Sequence, residues 1–531
     1  MAHSPLFSAL RRSLHLARLA NRAQGQAVAE LVAQRNERIL SRRKFLRQCA
    51  ATAALSAGTS LGTGCLLPRR PGAGGRSPKV VIVGAGVAGL NAAYQLRRSG
   101  IRATVYEASA RTGGRMFSSR DLLGPGMVTE LGGEFIDSNH QDMLTLARQF
   151  RLQCLDMNSP SESDLIQEAY FFEGRHYSEV EVIAAFQPLA ARIESDIEKL
   201  DDIIDYAHDG GASAIDRTSL ADYFDQIGAS GFVRKLLDVA YVTEYGLECG
   251  EQSALNFLFL ISTDVSGGSF DAFGESDERY KIVGGNQRIT DELAARLDGQ
   301  IEFGHRLVAL EKNASATRLC FEASGQSEIK IVDADFVIVC VPFTILRDVE
   351  CRFEMPDVKR RAIVELGYGA NAKLFTGQSC RPWRAQRFAG NIFSDAGFQL
   401  AWDNSRLQGT RDAGLTLYSG GQSGWDVGAG SAEDQIQRLL PGLDQAFPGV
   451  SAAKQGAAQR FHWPTNPFTR GSYACYRPGQ WTSIAGAEGL TVENIYFAGE
   501  HCSRDFQGFM NGGAETGRVA ARQVIATVLK T

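Results

Sequence analysis

The chain has no Cys-x-x-Cys pair among its ten cysteines, which are scattered from Cys49 to Cys502. That scatter argues against a zinc ribbon, a thioredoxin-like motif and a dense disulfide scaffold. It has no apolar run strong enough for an ordinary transmembrane helix. It has no excess of positive charge: Lys+Arg 56 against Asp+Glu 60 gives a net charge of −4. A whole-chain nucleic-acid-binding role therefore lacks its electrostatic footprint. Its eight histidines come with no G-x-S-x-G elbow past residue 67, so a Ser-His-Asp hydrolase has no support. There is no G-X-Y period, so the 56 glycines do not make a collagen. In a globular chain such an excess means tight turns and close backbone approach to a ligand. With 44% hydrophobic and 22% charged residues, the composition is globular. At 531 residues the chain exceeds one ordinary core, so two or more domains are expected.

The charge balance hides an asymmetry. Up to Arg47 the chain is rich in arginine (Arg11, Arg12, Arg18, Arg22, Arg35, Arg38, Arg42, Arg43) and poor in acids. Ser41-Arg42-Arg43-Lys44-Phe45-Leu46-Arg47 is followed by a weakly apolar stretch, Cys49 to Leu67. This resembles a bacterial twin-arginine export signal, which implies passage through the translocase in folded form. A basic amphipathic helix on an acidic surface is the other reading. Leu61-Gly62-Thr63-Gly64-Cys65 is a loose lipoprotein box, which leaves three fates open: a lipid on Cys65, small-residue cleavage, or retention as a membrane anchor. The expected location is periplasmic, or attached to the outer side of the inner membrane. Residues 1–67 are set apart as signal and basic N-region, and 68–78 as a Pro/Gly-rich linker.

The next segment has a specific physical reading. Lys79 to Val83 is a β-branched apolar run, read as a buried parallel strand. Gly84-Ala85-Gly86-Val87-Ala88-Gly89 follows, then helical spacing from Leu90 to Arg98 and a second strand over Arg102 to Tyr106. Gly84 allows the tight turn, Gly86 the approach of a pyrophosphate, and Gly89 close helix–strand packing. The helix N-terminus faces the phosphates. Glu107 can accept from ribose hydroxyls, and an acid there repels a 2′-phosphate. This pattern alone does not separate NAD from FAD. Arg111-Thr112-Gly113-Gly114-Arg115 adds two guanidinium forks suited to phosphate. Glu130-Leu131-Gly132-Gly133-Glu134-Phe135 adds a second Gly pair, which lets backbone lie against a flat ring system.

With these motifs the chain resembles the flavin-containing amine oxidase family, from about Lys79 to its C-terminus. The resemblance implies an α/β fold: a Rossmann-like FAD-binding domain interleaved with an α+β substrate domain. The expected cofactor segments are 79–140, 275–342 and 455–531, and the expected substrate segments 141–274 and 343–454. The stretch from Gln141 to about Asp264 reads as helix-rich, with Leu189, Ile193, Ile197, Leu200 and Ile204 on one face. Tyr280-Lys281-Ile282-Val283-Gly284-Gly285 then returns the chain to the cofactor domain.

Site residues follow from the resemblance. Val308 matches a position whose backbone contacts adenine. Lys373, in Gly367 to Phe375, matches the lysine that holds a water at flavin N5. Gly499-Glu500 matches the segment on the ribityl–phosphate portion, and the helix opening near Gly512 points at the flavin ring. Tyr473 and Phe509 match the aromatic pair flanking the substrate amine, while Trp463 reads as packing. Ser472 stands where monoamine oxidases carry a flavin-linked cysteine, so FAD is expected to be non-covalent. Cys475 and Cys502 read as buried thiols. Phe135 stands where many L-amino-acid oxidases carry a carboxylate-binding arginine, which favours an amine substrate. The implied reaction is amine oxidation to an imine by hydride transfer to N5, with O2 or a quinone as acceptor. The alternatives are an L-amino-acid oxidase or dehydrogenase, a tryptophan 2-monooxygenase-like enzyme, a C–C desaturase, and a flavin-binding scaffold.

Overall fold

The computed structural model describes residues 77–201, 203–261, 277–313, 316–325 and 328–529. The twin-arginine-like segment, Cys65 and most of the linker lie outside the described residues.

Val80–Val83 (β1) is buried on both faces, as a run of β-branched residues in a parallel sheet should be. It is followed by the helix Val87–Arg98 (α1) and the strand Ala103–Tyr106 (β2). Three further strands complete the sheet: Ile301–Glu302 (β3), Phe336–Val339 (β4) and Ile495–Phe497 (β5). The spatial order is β5-β4-β1-β2-β3, and all pairs are parallel. The sheet thus collects strands from distant parts of the chain.

Side-chain alternation along β1 divides the core. Val80 and Ile82 pack among Ala88, Ala92 and Leu96 of α1, and Ala514 and Ala521 of the helix Met510–Val528 (α2). Val81 and Val83 face the other way, towards Leu310, Phe321, Phe343 and Ile363. The two helices cross closely: a Cβ at Gly517 would lie 2.1 Å from the Ala88 carbonyl oxygen.

A second, seven-stranded sheet runs Lys454–His462, Ala372–Gln378, Ala413–Ser419, Leu400–Asp403, Phe388–Ser394, Ile166–Phe172, Arg175–Tyr177. Its pairs are antiparallel except for Phe388–Ser394 with Ile166–Phe172. Against it pack helices including Glu179–Ile197, Gly231–Tyr245 and Ala254–Ile261, with Phe186, Ile193, Leu236 and Phe257 in one core. Ser178 and Glu181 cap the first of these helices reciprocally. Burying each of Phe186, Ile193, Leu236 and Phe257 contributes about 2 kcal/mol.

The stretch after Gln141 is helix-rich, as expected, and two strands within it, Ile166–Phe172 and Arg175–Tyr177, join the seven-stranded sheet. Two expected segment bounds differ. Residues just past 342 do not enter the second sheet. Glu350–Arg352 pairs with His305–Asn313, and Phe343, Leu346 and Ile363 pack under β1. The return to the parallel sheet falls after His462 rather than at 455, because Lys454–His462 is hydrogen-bonded beside Ala372–Gln378.

Candidate active site

One cavity of about 520 Å³ runs from the carboxyl ends of β1, β2 and β4 to the face of the seven-stranded sheet. That volume lies within the range of roughly 300–1,000 Å³ of sites that bury a small-molecule ligand. The crevice beyond the strand ends is where open parallel sheets bind ligands.

The first end is built by the loop after β1. Gly84 takes φ +103°, a left-handed conformation that suits glycine. A Cβ at Gly89 would lie 2.0 Å from the Gly84 oxygen, so that position tolerates no side chain. A Cβ at Gly86 would meet nothing within 4 Å, because this residue opens on the cavity. No side chain caps α1, and Val87 and Ala88 of its first turn line the cavity. Their amides are the free donors of a helix start, at the positive end of the dipole. The Glu107 carboxylate accepts from Ala85 N at 2.7 Å and Ser109 N at 2.8 Å. Each oxygen keeps a lone pair for a hydroxyl donor.

The guanidinium forks come next. Arg111 lies 4.0 Å from the Phe117 ring centre and donates to the Thr112 and Gly114 carbonyls. Burial pulls its guanidinium below the ordinary value, and Glu107 opposes that. Arg115 Nη1 donates to Glu500 Oε1 at 2.7 Å and to Ser472 O at 2.9 Å. Gly508 N donates to Glu500 Oε2 at 2.7 Å. Burial would raise the Glu500 carboxyl, but the surrounding positive charge, Arg115 foremost, and the Arg115 hydrogen bond together outweigh it and hold the acid below its usual range. Gly114 and Gly499 complete this wall. At Gly132 a Cβ would sit 1.8 Å from the Arg115 oxygen, and at Gly133 it would sit 2.8 Å from Met510 Cγ.

At the far end the wall is aromatic: Phe135, Trp402, Tyr418, Tyr473 and Phe509 line it, with Lys373 and Asn371. Sheet register places two of these groups, Lys373 and Tyr418. Lys373 stands opposite Tyr418 on one side and Phe461 on the other. Phe509 is the N-cap residue of α2, whose N-terminus also has no side-chain cap. Two uncapped helix starts therefore open on one cavity, an arrangement suited to an anionic ligand.

Lys373 is buried and donates to Glu130 O (3.0 Å), Gly132 O (2.9 Å) and Glu134 Oε2 (2.8 Å). The other Glu134 oxygen accepts from Lys281 Nζ at 2.8 Å and from Trp402 Nε1 at 2.9 Å. Burial would raise the Glu134 carboxyl, but the two lysine charges outweigh it and hold it at about 2.

The structure brings most of the expected residues together. Gly84, Gly86, Glu107, Arg111, Gly114, Arg115, Gly132, Gly133, Lys373, Tyr473, Gly499, Glu500 and Phe509 all line the cavity. Gly89 lies behind it, in the packing position expected. Val308 lies outside the lining; its strand neighbours His305, Arg306 and Leu307 form that wall, and the ladder is bulged between Leu307 and Ala309. Gly512 is turned away, with a Cβ position 2.1 Å from the Phe506 oxygen, and Gly513 lines the cavity instead. Helical rotation makes that difference. Trp463 is buried and donates to Leu131 O at 3.0 Å, yet also lines the cavity.

Sequence reasoning missed Glu134, Lys281, Trp402 and Tyr418. For the first two a signal existed: a charge directly after a Gly pair, and a lysine between Tyr280 and Ile282 in an apolar strand. Trp402 and Tyr418 carried none.

Comparison with known proteins agrees with this geometry. The L-amino acid dehydrogenase of Synechocystis sp. is 24% identical over 464 residues, covering 84% of this chain and 94% of that protein. The pseudooxynicotine dehydrogenase of a Pseudomonas species is 22% identical over 516 residues, covering 92% and 96%. The solved structure of cyclohexylamine oxidase from Brevibacterium oxydans shares the fold with a TM-score of 0.74 at 20% identity, over 86% of this chain and all of that one. The profile of the family described as flavin containing amine oxidoreductase matches residues 87–525. That match spans most of the chain, which therefore belongs to the flavin-containing amine oxidoreductase family.

Proposed function

We propose that the chain oxidises an amine with an apolar or aromatic skeleton and no carboxylate, using FAD held without a covalent bond. The observation that carries this reading is the make-up of the far end of the cavity. Five aromatic side chains line it, and of the cavity's arginines Arg111 and Arg306 stand by the strand ends, while Arg115 is engaged by Glu500 and the Ser472 carbonyl. Phe135, two positions after the second Gly pair, is part of the aromatic wall. Lys373 is the cation that reaches this end, and its ammonium is already bonded to three protein acceptors.

Flavin, when bound, would supply the hydride acceptor for the carbon next to the amine nitrogen. The chain's own residues position and desolvate. Tyr473 and Phe509 flank the amine, and their π faces tolerate its charge. Lys373 supplies positive charge at the reacting face. The imine product is hydrolysed to a carbonyl compound and ammonia or an amine. O2 is the expected acceptor, with a quinone or another carrier as the alternative.

Non-covalent binding is supported by Ser472. Its hydroxyl donates to Asn371 Oδ1 at 2.6 Å and offers no thiol. Val87, Ala88, Glu107, Arg111 and Arg115 would hold the dinucleotide, and the start of α2 the ring. Export by the twin-arginine route, to the periplasm or an anchored position outside the inner membrane, rests on Ser41 to Arg47 alone. No helix among the described residues is long and apolar enough to cross a membrane.

An L-amino acid is the second reading, favoured by the Synechocystis relative's name. The two are separated by anaerobic mixing of the FAD-loaded protein with phenethylamine and with L-phenylalanine, which differ by one carboxylate. Bleaching of flavin absorbance by the amine alone supports the proposal. Bleaching by the amino acid alone replaces it with the second reading, and no bleaching across a broad amine panel overturns it.

A further inference from the structure

Lys373 on its own would place one positive charge at the wall of the cavity. Glu134, bonded to it at 2.8 Å, would cancel that charge. Lys281, bonded to the other carboxylate oxygen at 2.8 Å, restores it. The three side chains come from separate elements: the loop after the second Gly pair, the strand Tyr280–Ile282, and the strand Ala372–Gln378. All are buried, Glu134 to 1% exposure and Lys281 to 5%, so solvent screens the charges little. Lys281 also lies 5.4 Å from the Phe135 ring centre, and Lys373 lies 5.2 Å from that of Trp402. Two walls of the chamber are therefore tied to the same charges.

Packing alone does not call for this arrangement. Taking three charges out of water is costly, and apolar residues of similar volume often serve a core as well or better. A triad of one acid and two bases also retains a net charge while the neighbouring Glu130 carboxyl, pushed up by burial, keeps its proton. Only Lys373 of the three lines the cavity. Glu134 and Lys281 act through it.

We infer that Glu134 and Lys281 are positioning residues that set the charge Lys373 presents to the flavin: Glu134 clamps the ammonium in place and lowers the local positive charge, and Lys281 offsets that loss. This rests on the reading above, in which the flavin ring occupies the aromatic end. An electrostatic role makes the two residues act with opposite signs, whereas a merely structural role would make both losses harmful in the same sense.

Sulfite tests the sign. It adds reversibly to oxidised flavin as an anion and bleaches its absorbance, so its dissociation constant reads local positive charge without any turnover. The FAD-loaded full chain is titrated with sulfite at one fixed pH as wild type, Glu134→Gln, Lys281→Met and the double variant. Glu134→Gln is expected to tighten sulfite binding and Lys281→Met to weaken it. Each shift is expected to be about tenfold, the scale of one unit charge nearby at an effective dielectric of about 20. The double variant, left with Lys373 alone, is expected to fall back near wild type. If Lys281→Met fails to retain flavin, Lys281→Gln makes the same comparison. Shifts of the same sign in both single variants, or no shift in either, overturn the inference while the flavin reading stands. A wild-type chain that cannot be loaded with flavin overturns both.

Discussion

The Tyr418 and Tyr473 hydroxyl oxygens stand 2.7 Å apart in the buried wall of the chamber. Tyr473 donates onward to Thr243 O at 3.3 Å, which leaves Tyr418 as the donor between the two. Burial pushes both phenols well above their ordinary value; their mutual hydrogen bond lowers Tyr418 and raises Tyr473 further. Both therefore stay protonated at neutral pH, and neither serves as a base. The substrate must lose its proton before its hydride. The anaerobic flavin-reduction rate is expected to rise with pH through the bound amine's pKa and then level off. A rate that stays flat across that window in stopped-flow absorbance would contradict this.

Tyr418→Phe keeps the ring and removes the donor to Tyr473. The Tyr473 ring then loses one of the two contacts that orient its hydroxyl. Flavin reduction is expected to slow by about fivefold, equivalent to about 1 kcal/mol for one hydrogen bond. Flavin content is expected to be unchanged. An equal or faster reduction rate would show that the pair does not orient Tyr473 for catalysis.

Acid precipitation checks the mode of flavin attachment. With Ser472 bonded to Asn371 and no thiol at that position, all flavin absorbance is expected in the supernatant. A yellow pellet that keeps its colour through washing would point to a covalent link elsewhere.

Glu130 makes stability fall as pH rises. Burial pushes its carboxyl up to about 7, against hydrogen bonds from Ser118 and Asn286 that pull it down. The unfolded chain releases this proton near the ordinary carboxylate pKa of 4.5, while the folded chain keeps it until about 7. The unfolded state thus binds fewer protons between those values, and stability declines across the window. The loss is on the order of 3 kcal/mol above neutrality. Glu130→Gln is expected to raise Tm at pH 8 and to change it much less at pH 5, by thermal unfolding of the flavin-loaded protein. An equal change at both pH values would mean that the Glu130 carboxyl titrates normally.

The nucleotide end was legible because its demands are local. The β-branched run over Val80–Val83 needs burial on both faces whatever surrounds it. Gly89 is required by the oxygen of Gly84, five residues earlier, and Glu107 closes the very next strand. Where the sequence reading slipped, the deciding contact was distant or rotational. Gly512 and Gly513 differ only in which side of α2 they occupy. Lys454–His462 reads as a strand, but its partner Ala372–Gln378 lies far away in sequence. Nothing in either segment by itself assigns the strand to one sheet.

The aromatic end of the cavity shows the division most clearly. The sequence by itself determined that a dinucleotide loop, two guanidinium forks and a helix-opening aromatic are present, since each is a short string with its own geometry. Only the tertiary structure decided that Glu134, Lys281, Lys373 and Trp402 share one buried carboxylate, and that Tyr418 faces Tyr473. Their meeting depends on strand register and on how the two sheets sit across the cavity. A shift of one residue would turn Lys373 and Tyr418 to the opposite face of their sheet. Such long-range placement is set by the burial of whole sheet faces, which no short stretch of residues encodes.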